Sequence, residues 1–535
     1  MRQSQLTVSR MPNTISIHRI TVERISALFV ALFLVLSLAG VARAGGRAGA
    51  APAWADISGT TIYDREHLWA YISAHAVNSG HIDDAEAIAA TIEQLYREDG
   101  YFLARVEVRR DPRQGLVEFA IREGRVSTIA IEGFEPPIVA KLHAYFDQAV
   151  GGGPVRLDKF ERAVALAGDL AGVAVRTEFA DEAPDGSSTL KVIGRAITQR
   201  GSLTVDNPPR RLGKSASAFL TQELYSTFTG GDMLRLSIAG NKVFRHDDKT
   251  LYGGVHYRAP FGGLGSYFEL FAGNSLARRN FNGTLEDSSQ HGLNAIALVG
   301  HPIIRDLHQF LFVLAELDYL RGKTVTSGGG LASQASVSRG SLVYGLVQDG
   351  GGTMVTGMTV SFGRAHQDPN QGYVPVDRNF WHVRAGFGWL RPLDAILPEL
   401  AFRTEVIGQF TSSRLPDVEK FYLGDRHRMR GYNFAEFEAS AGATGTFELS
   451  RHFSFGGANL FGVTPYAFVD AGVVRLRDQI GVGKIDRGLV SVGFGAKASA
   501  FNRVALNSWL AFPLSRGASG KTPSPAAYVS LTTFW

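Results

Sequence analysis

The sequence predicts a mainly β protein, with two small α/β modules followed by a 16-stranded antiparallel transmembrane β-barrel. Three observations predict it. A β-α-α-β-β pattern occurs twice in consecutive blocks of about 70 residues, an internal repeat. After about Arg195 helical periodicity stops. About 16 period-2 segments then follow, separated by Gly, Pro, Asn and Asp, at about 21 residues per strand plus connection, the spacing of a large barrel. An export signal precedes both regions.

That signal is Arg19 and Arg24 before an apolar run from about Ala27 to Leu38, closed by the small-x-small pattern of Ala42, Arg43 and Ala44. A run of about 12 residues falls short of the ~20 that cross a bilayer as a helix. No later stretch is apolar enough. A mature chain resident in a membrane must then cross it as a closed barrel, because only helices and closed barrels satisfy their backbone groups in lipid.

Composition agrees. The 535 residues are too many for one core. The absence of cysteine excludes a disulfide framework, a thiolate metal site and a thiol nucleophile. With 61 Gly, 34 Phe, 16 Tyr and only 20% charged residues, the chain suits many strands joined by Gly-rich turns. The net charge of +5 is spread out, with no basic stripe for nucleic acid.

The expected segments are a signal (1–44), a flexible Gly/Ala-rich leader (45–56), module 1 (57–124), module 2 (125–195) and the barrel (196–535). In module 1, Asp64 can cap a helix through about Asn78. A second helix starts near Asp83, carries Ile88, Ile92 and Leu95 on one face, and ends at Gly100. Strands follow at about Phe102–Arg109 and Leu116–Ile121. Module 2 reads as a strand at Val126–Ile131, helices at Pro137–Gln148 and Leu157–Leu170, and strands at Val173–Phe179 and Thr189–Ile193.

The barrel strands show their faces. Trp381, Val383, Ala385, Phe387 and Trp389 share one side, with His382 and Arg384 opposite. An apolar face with tryptophan at both ends fits a lipid-facing strand with two interfacial girdles. The segment from Val490 to Ala498 places Val492 and Phe494 opposite Ser491 and Lys497, and that from Leu311 to Tyr319 places Leu317 opposite Glu316 and Asp318. A soluble sandwich also alternates, but it does not require tryptophan at its strand ends. Ala527, Val529, Leu531 and Trp535 form a terminal strand expected to close on the first.

Several strings carry a family resemblance. "AATIEQLYREDGYFLARVEV", "REGRVSTIAIEGF" and "ERAVALAGDLAGVAVRTEF" resemble POTRA modules. "EKFYLGDRHRMRGYNFAEFEAS" resembles the sixth extracellular loop of the superfamily that includes BamA and the two-partner secretion transporters. "YAFVDAG" resembles its Phe-x-Asp-x-Gly strand. "LTVDNPPRRLG" and "FTGGDMLRLSI" resemble the barrel start of the ShlB/FhaC/HecB branch. This loop departs from the family pattern with Asp425 in place of a glycine and Met429 in place of a valine, and the short leader leaves little room for a plug helix. The resemblance implies an outer-membrane, porin-like pore that captures an unfolded exported partner in the periplasm and secretes it, in the manner of hemolysin and adhesin secretion. The partners implied are that secreted passenger, outer-membrane lipid and the barrel assembly machinery. The alternative is a BamA- or TamA-like assembly factor, against which a count of two modules argues.

The resemblance also implies that Arg430, in the motif with Gly431 and Tyr432, folds into the barrel and pairs with Asp470. Strand parity permits this independently. Ala467, Val469, Ala471 and Val473 form a lipid-type face, so Phe468, Asp470 and Gly472 point into the lumen. A shielded carboxylate is costly unless paired, and arginine offers it a two-pronged match. Gly431 lets the backbone turn, Tyr432 is expected to wedge against Phe468, and Glu448 is a second available partner. The edge strands of the modules are expected to capture the client by strand addition.

No catalytic constellation or metal spacing is present, and no cofactor is expected. "GASGKT" at 517–522 lacks the first glycine of a phosphate loop, so no nucleotide site is expected. Asn282, Gly283 and Thr284 match a glycosylation acceptor by chance.

Overall fold

The structure is a computed structural model that describes residues 54–79, 84–111, 116–180, 187–207, 216–242, 249–279, 288–326, 329–367, 376–456, 460–476 and 485–535. The expected signal, residues 45–53 of the leader, Asp83, residues 208–213 and Asn282 to Thr284 lie outside them. The chain forms two compact units, divided in sequence between Ala196 and Ile197.

The first unit holds both modules. Module 1 runs β1 (Ala55–Ser58), α1 (Arg65–Ser79), α2 (Ala85–Glu98), β2 (Arg105–Asp111) and β3 (Leu116–Arg122). Its sheet order is β1-β3-β2, with β1 parallel to β3. Ala55 and Asp56, expected in the leader, are already in β1, because pairing with Val117 and Glu118 orders them. Asp64 accepts the His67 amide, and Asp84 caps α2 by accepting the amides of Glu86 and Ala87; such a cap contributes about 1 kcal/mol. Ile88, Ile92, Leu95 and Tyr96 pack from α2 against Phe119 and Ile121 of β3, each contributing roughly 1.5–3 kcal/mol by leaving water.

Module 2 repeats the order: β4 (Arg125–Glu132), α3 (Pro136–Val150), α4 (Leu157–Gly168), β5 (Val173–Ala180) and β6 (Ser187–Ala196), with sheet order β4-β6-β5. The repeat extends to single residues. Gly59 follows β1 and Gly133 follows β4, at φ +80° and +86°, and a Cβ on either would come within 2.2 Å of a carbonyl on the adjacent strand. Only glycine allows the chain to leave the sheet there.

The strand expected from Phe102 begins at Arg105 instead. Phe102 and Leu103 turn away to pack on the core of module 2, with Phe102 5.7 Å from both Phe160 and Phe179 between ring centroids. The amide of Leu157 donates to Gly100 O and that of Val155 to Gly124 O. At Phe102 and Leu103 packing against that core takes the place of strand pairing.

The second unit is a closed antiparallel barrel. Its strands begin with β7 (Gln199–Asp206), β8 (Ser217–Tyr225), β9 (Met233–Lys242), β10 (Lys249–Phe261), β11 (Ser266–Arg279) and β12 (Ser288–Arg305). They continue with β13 (Gln309–Thr326), β14 (Gly329–Val347), β15 (Thr353–Gln367), β16 (Asn379–Pro392) and β17 (Leu400–Phe410). After a small hairpin, β18 (Phe421–Leu423) with β19 (Phe437–Ala439), come β20 (Ala441–Arg451), continued as β21 (Phe453–Phe455), then β22 (Phe461–Leu476), β23 (Ile485–Ala500), β24 (Val504–Pro513) and β25 (Ala526–Phe534). Counting β20 with β21 as one strand and leaving the hairpin aside, the barrel has 16 strands. The last pairs with the first, Ser530 opposite Asp206 through Phe534 opposite Ser202. Closure leaves no edge to be satisfied in lipid.

The alternation is visible residue by residue. On β22, Val469 and Val473 are exposed while Phe468 and Asp470 are buried. Leu317 is exposed beside buried Asp318, Phe410 beside buried Gln409, and Phe494 lies on the face opposite fully buried Ser491. The greasy face is outside and the polar face inside, as an apolar environment around a wet tube requires. Among the described residues no helix is long and apolar enough to cross a membrane.

Candidate functional site

Residues 411–440, between β17 and β20, fold back into this tube. Their side chains meet inward-facing residues of β7, β14, β16, β20 and β22. Those strands are distributed around one closed barrel, so a single segment reaches them all only from inside.

The first anchor is Arg430. Its amide N–H and its Nε each donate to Asp470 Oδ2 at 2.9 Å, and Nη2 donates to Oδ1 at 2.8 Å. Both residues are buried, Asp470 completely. The guanidinium carbon lies 3.3 Å from the centroid of the Phe468 ring, so the carboxylate holds the cation at its edge and the aromatic face holds its plane. Nη1 is 3.5 Å from Glu448 Oε2, and Glu448 also accepts from Lys497 Nζ at 2.6 Å. Inside a barrel each charge would be expensive alone; together they are satisfied.

The backbone is shaped for this contact. Met429 and Gly431 have φ of +55° and +92°, on either side of the arginine. A Cβ on Gly431 would press on Ala511 and Pro513 of β24 at 3.1–3.2 Å. Gly472 is where the loop touches the wall, since a Cβ there would lie 2.7 Å from Leu423 Cδ2 and 3.2 Å from Met429 Sδ. Asp425 makes use of its side chain where the family has glycine: Oδ1 accepts the amides of His427 and Arg428 and closes the turn.

The expectation for Tyr432 is corrected. The face of Phe468 is taken by the arginine, and Tyr432 sits in a separate apolar cluster with Leu423, Met429, Val474 and Leu489. Its hydroxyl donates to Val490 O at 2.7 Å and accepts the Ser515 amide at 2.9 Å. The left-handed turn at Met429 and Gly431 carries the side chain past β22 to the β23 side.

Sequence reasoning missed two further anchors. Glu419 is fully buried. It accepts from Arg339 Nη2 at 2.7 Å and Nη1 at 3.1 Å, and its Oε2 lies 2.8 Å from His382 Nε2. Its backbone carbonyl accepts from Arg384 Nη2 at 2.8 Å and Gln409 Nε2 at 3.0 Å. Arg339 also bonds Asp318 and Glu316. The other anchor is Arg426, which bonds Asp206 of β7; Tyr528 of β25 donates to the same carboxylate at 2.9 Å. Inward parity marked His382, Arg384 and Asp318 as lumen-facing, but nothing in the sequence paired them with Glu419.

A 16-stranded barrel with its longest loop bolted to its inner wall, carried on a chain with two POTRA-type modules, defines the outer-membrane transport pores of the POTRA-plus-barrel superfamily. The family model described as haemolysin secretion/activation protein ShlB/FhaC/HecB matches residues 192–498. The chain belongs to that family. It is a two-partner secretion transporter of the bacterial outer membrane. Solved structures share the fold. CdiB from Escherichia coli superposes with a TM-score of 0.73 at 16% identity, over 95% of this chain and 94% of that one. CdiB from Acinetobacter baumannii gives 0.67 at 14%, over 93% of each chain. BamA from Haemophilus ducreyi lacking POTRA domains 1–3 gives 0.50 at 14%, over 85% and 94%. No curated protein sequence gives a significant match.

Proposed function

We propose that the protein captures an unfolded exported partner of the hemolysin or adhesin kind in the periplasm and passes it outward through the barrel without performing catalysis. The observation that carries this reading is the buried Arg430–Asp470 pair, which seats a long loop in the very lumen a passenger must use. A polar pore with a loop fixed across it is equipped to regulate passage.

The modules supply capture. β2 and β5 each pair on one side only in their three-stranded sheets. An extended chain can add to such an edge through main-chain hydrogen bonds, which read extended shape more than sequence and so suit an unfolded client. Folding outside the cell then favours the forward direction. The barrel assembly machinery would insert the transporter itself, and outer-membrane lipid would cover its apolar face.

The test is secretion of the cognate partner by an Arg430→Ala variant. The variant is expected to reach the outer membrane at normal levels and to leave the partner in the periplasm. Normal secretion would remove the loop from the mechanism.

A further inference from the structure

We propose that Glu419 is a second positioning residue for transport, one that fixes the leading limb of the inserted loop independently of Arg430. The inference rests on the transport reading above and adds to it a polarity. At Asp470 the loop supplies the cation and the wall the anion. At Glu419 the assignment is inverted: the loop supplies the anion, and Arg339 of β14 and Arg384 of β16 supply the cations. In sequence Glu419 lies just before β18 and Arg430 in the connection between β18 and β19, and the two engage different strands, β14 and β16 against β20 and β22.

Opposite polarity has a physical consequence. If the loop docked in reverse, Arg430 would meet Arg339 and Arg384, and Glu419 would meet Asp470 and Glu448. Like charges at such buried sites repel strongly. The inverted pair therefore permits one seating of the loop. The surroundings of Glu419 are as complete as those of a built anchor: both carboxylate oxygens are bonded, its carbonyl accepts two side chains, and Arg339 is itself held by Asp318 and Glu316. An acid in a surface loop would need none of these.

The two anchors act on different limbs. Removing Glu419 should free residues before β18 while Arg430 still holds those after it. Removing Arg430 should do the reverse.

The chain has no cysteine, so introduced cysteines can be spin-labelled without background. Val418 in the leading limb and Phe434 beyond the Arg430 turn are both exposed, as is Asn502 in the β23–β24 turn, which serves as the barrel reference. Electron–electron distance distributions are measured on the full-length protein for the pairs 418–502 and 434–502. In Glu419→Gln the 418–502 distribution is expected to broaden severalfold and the 434–502 distribution to stay narrow. Arg430→Ala is expected to give the opposite pattern, and Glu419→Asp to recover most of the 418–502 order. Secretion by Glu419→Gln is expected to fall about tenfold with normal heat-modifiable mobility of the barrel. A 418–502 distribution unchanged in Glu419→Gln would overturn the proposal. So would broadening of both pairs together, which would mean a single cooperative seat. A broadened 418–502 distribution with undiminished secretion would instead count against the transport reading, because the distances test seating alone.

Discussion

The Arg430 guanidinium is gripped at its edge by Asp470 and covered on its face by Phe468, with its own backbone amide bonded to the same carboxylate oxygen as its Nε. Three donors from one residue converge on one buried acid. Breaking such a pair by removing one partner costs about 3–5 kcal/mol, because the survivor stays buried and unpaired. Arg430→Ala and Asp470→Ala should each lower the melting temperature of the detergent-solubilised barrel, and the double variant should lose far less than the sum. A strictly additive double-mutant cycle in thermal melts would show that the pair is not coupled. Arg430→Lys should behave much like the alanine variant, since lysine keeps the charge but has neither the planar fork nor the face for Phe468.

Gly472 tests how tightly the loop meets the wall. Alanine there would place a methyl 2.7 Å from Leu423 Cδ2, with Met429 Sδ and the Ala443 carbonyl at 3.2 Å. Overpacking of this kind costs about 1–3 kcal/mol. Gly472→Ala is therefore expected to shift the loop and lower secretion, and Leu423→Ala is expected to restore part of it in the double variant by vacating the space. If the double variant melts below both single variants, the clash is not the cause.

The loop anchors show what the sequence could and could not reveal. Asp470 was legible because strand parity needs only neighbours in sequence, and its partner came with the loop motif. Glu419 was not, because its partners Arg339 and His382 lie on two non-adjacent strands, and only closure of the barrel brings them together. Tyr432 was misplaced for a related reason: the positive φ at Met429 and Gly431 redirects the side chain, and periodicity carries no information on that. In the modules, helix caps and amphipathic spacing fixed the elements to within a few residues. Phe102 escaped because its burial is in the neighbouring module's core.

Module 1 should show a pH dependence centred on Glu123. Its carboxylate is buried and accepts the amides of Thr61 at 2.6 Å and Ile62 at 2.8 Å, the Thr61 hydroxyl, and the Tyr96 hydroxyl at 2.9 Å. Burial works to raise its pKa, but the bonds from Thr61, Ile62 and Tyr96 prevail and hold it below the usual glutamate value. A depressed folded value means that the contribution to stability is present above the ordinary carboxylate range and is lost as pH falls through the folded value. Hydrogen exchange of the Thr61 and Ile62 amides in the full-length protein should accelerate at acid pH beyond the intrinsic rate change. Glu123→Gln should cost about 1–3 kcal/mol at neutral pH and abolish that dependence. Protection that follows the intrinsic rate alone down to about pH 3 would refute the assignment.

The seam between β25 and β7 depends on more than its ladder. Its pairing covers five residue pairs, whereas β13 and β14 share eighteen, so side chains have to contribute to closure. Asp206 stands at the end of that short ladder, opposite Ser530, and is buried. It accepts the Tyr528 hydroxyl from the last strand at 2.9 Å, the Ser217 hydroxyl from β8, and Arg426 from the inserted loop. One carboxylate thus ties the first strand, the last strand and the loop. Arg426 is well exposed, so its own share is at most about 1 kcal/mol. The buried tyrosine bond to a charged acceptor contributes about 2 kcal/mol. Asp206→Ala should then speed exchange of the β25 amides by roughly thirtyfold, with β13 and β14 unaffected, whereas Arg426→Ala should change it only severalfold. Equal effects from the two variants would assign closure to the loop, and no effect from either would assign it to the five backbone pairs alone.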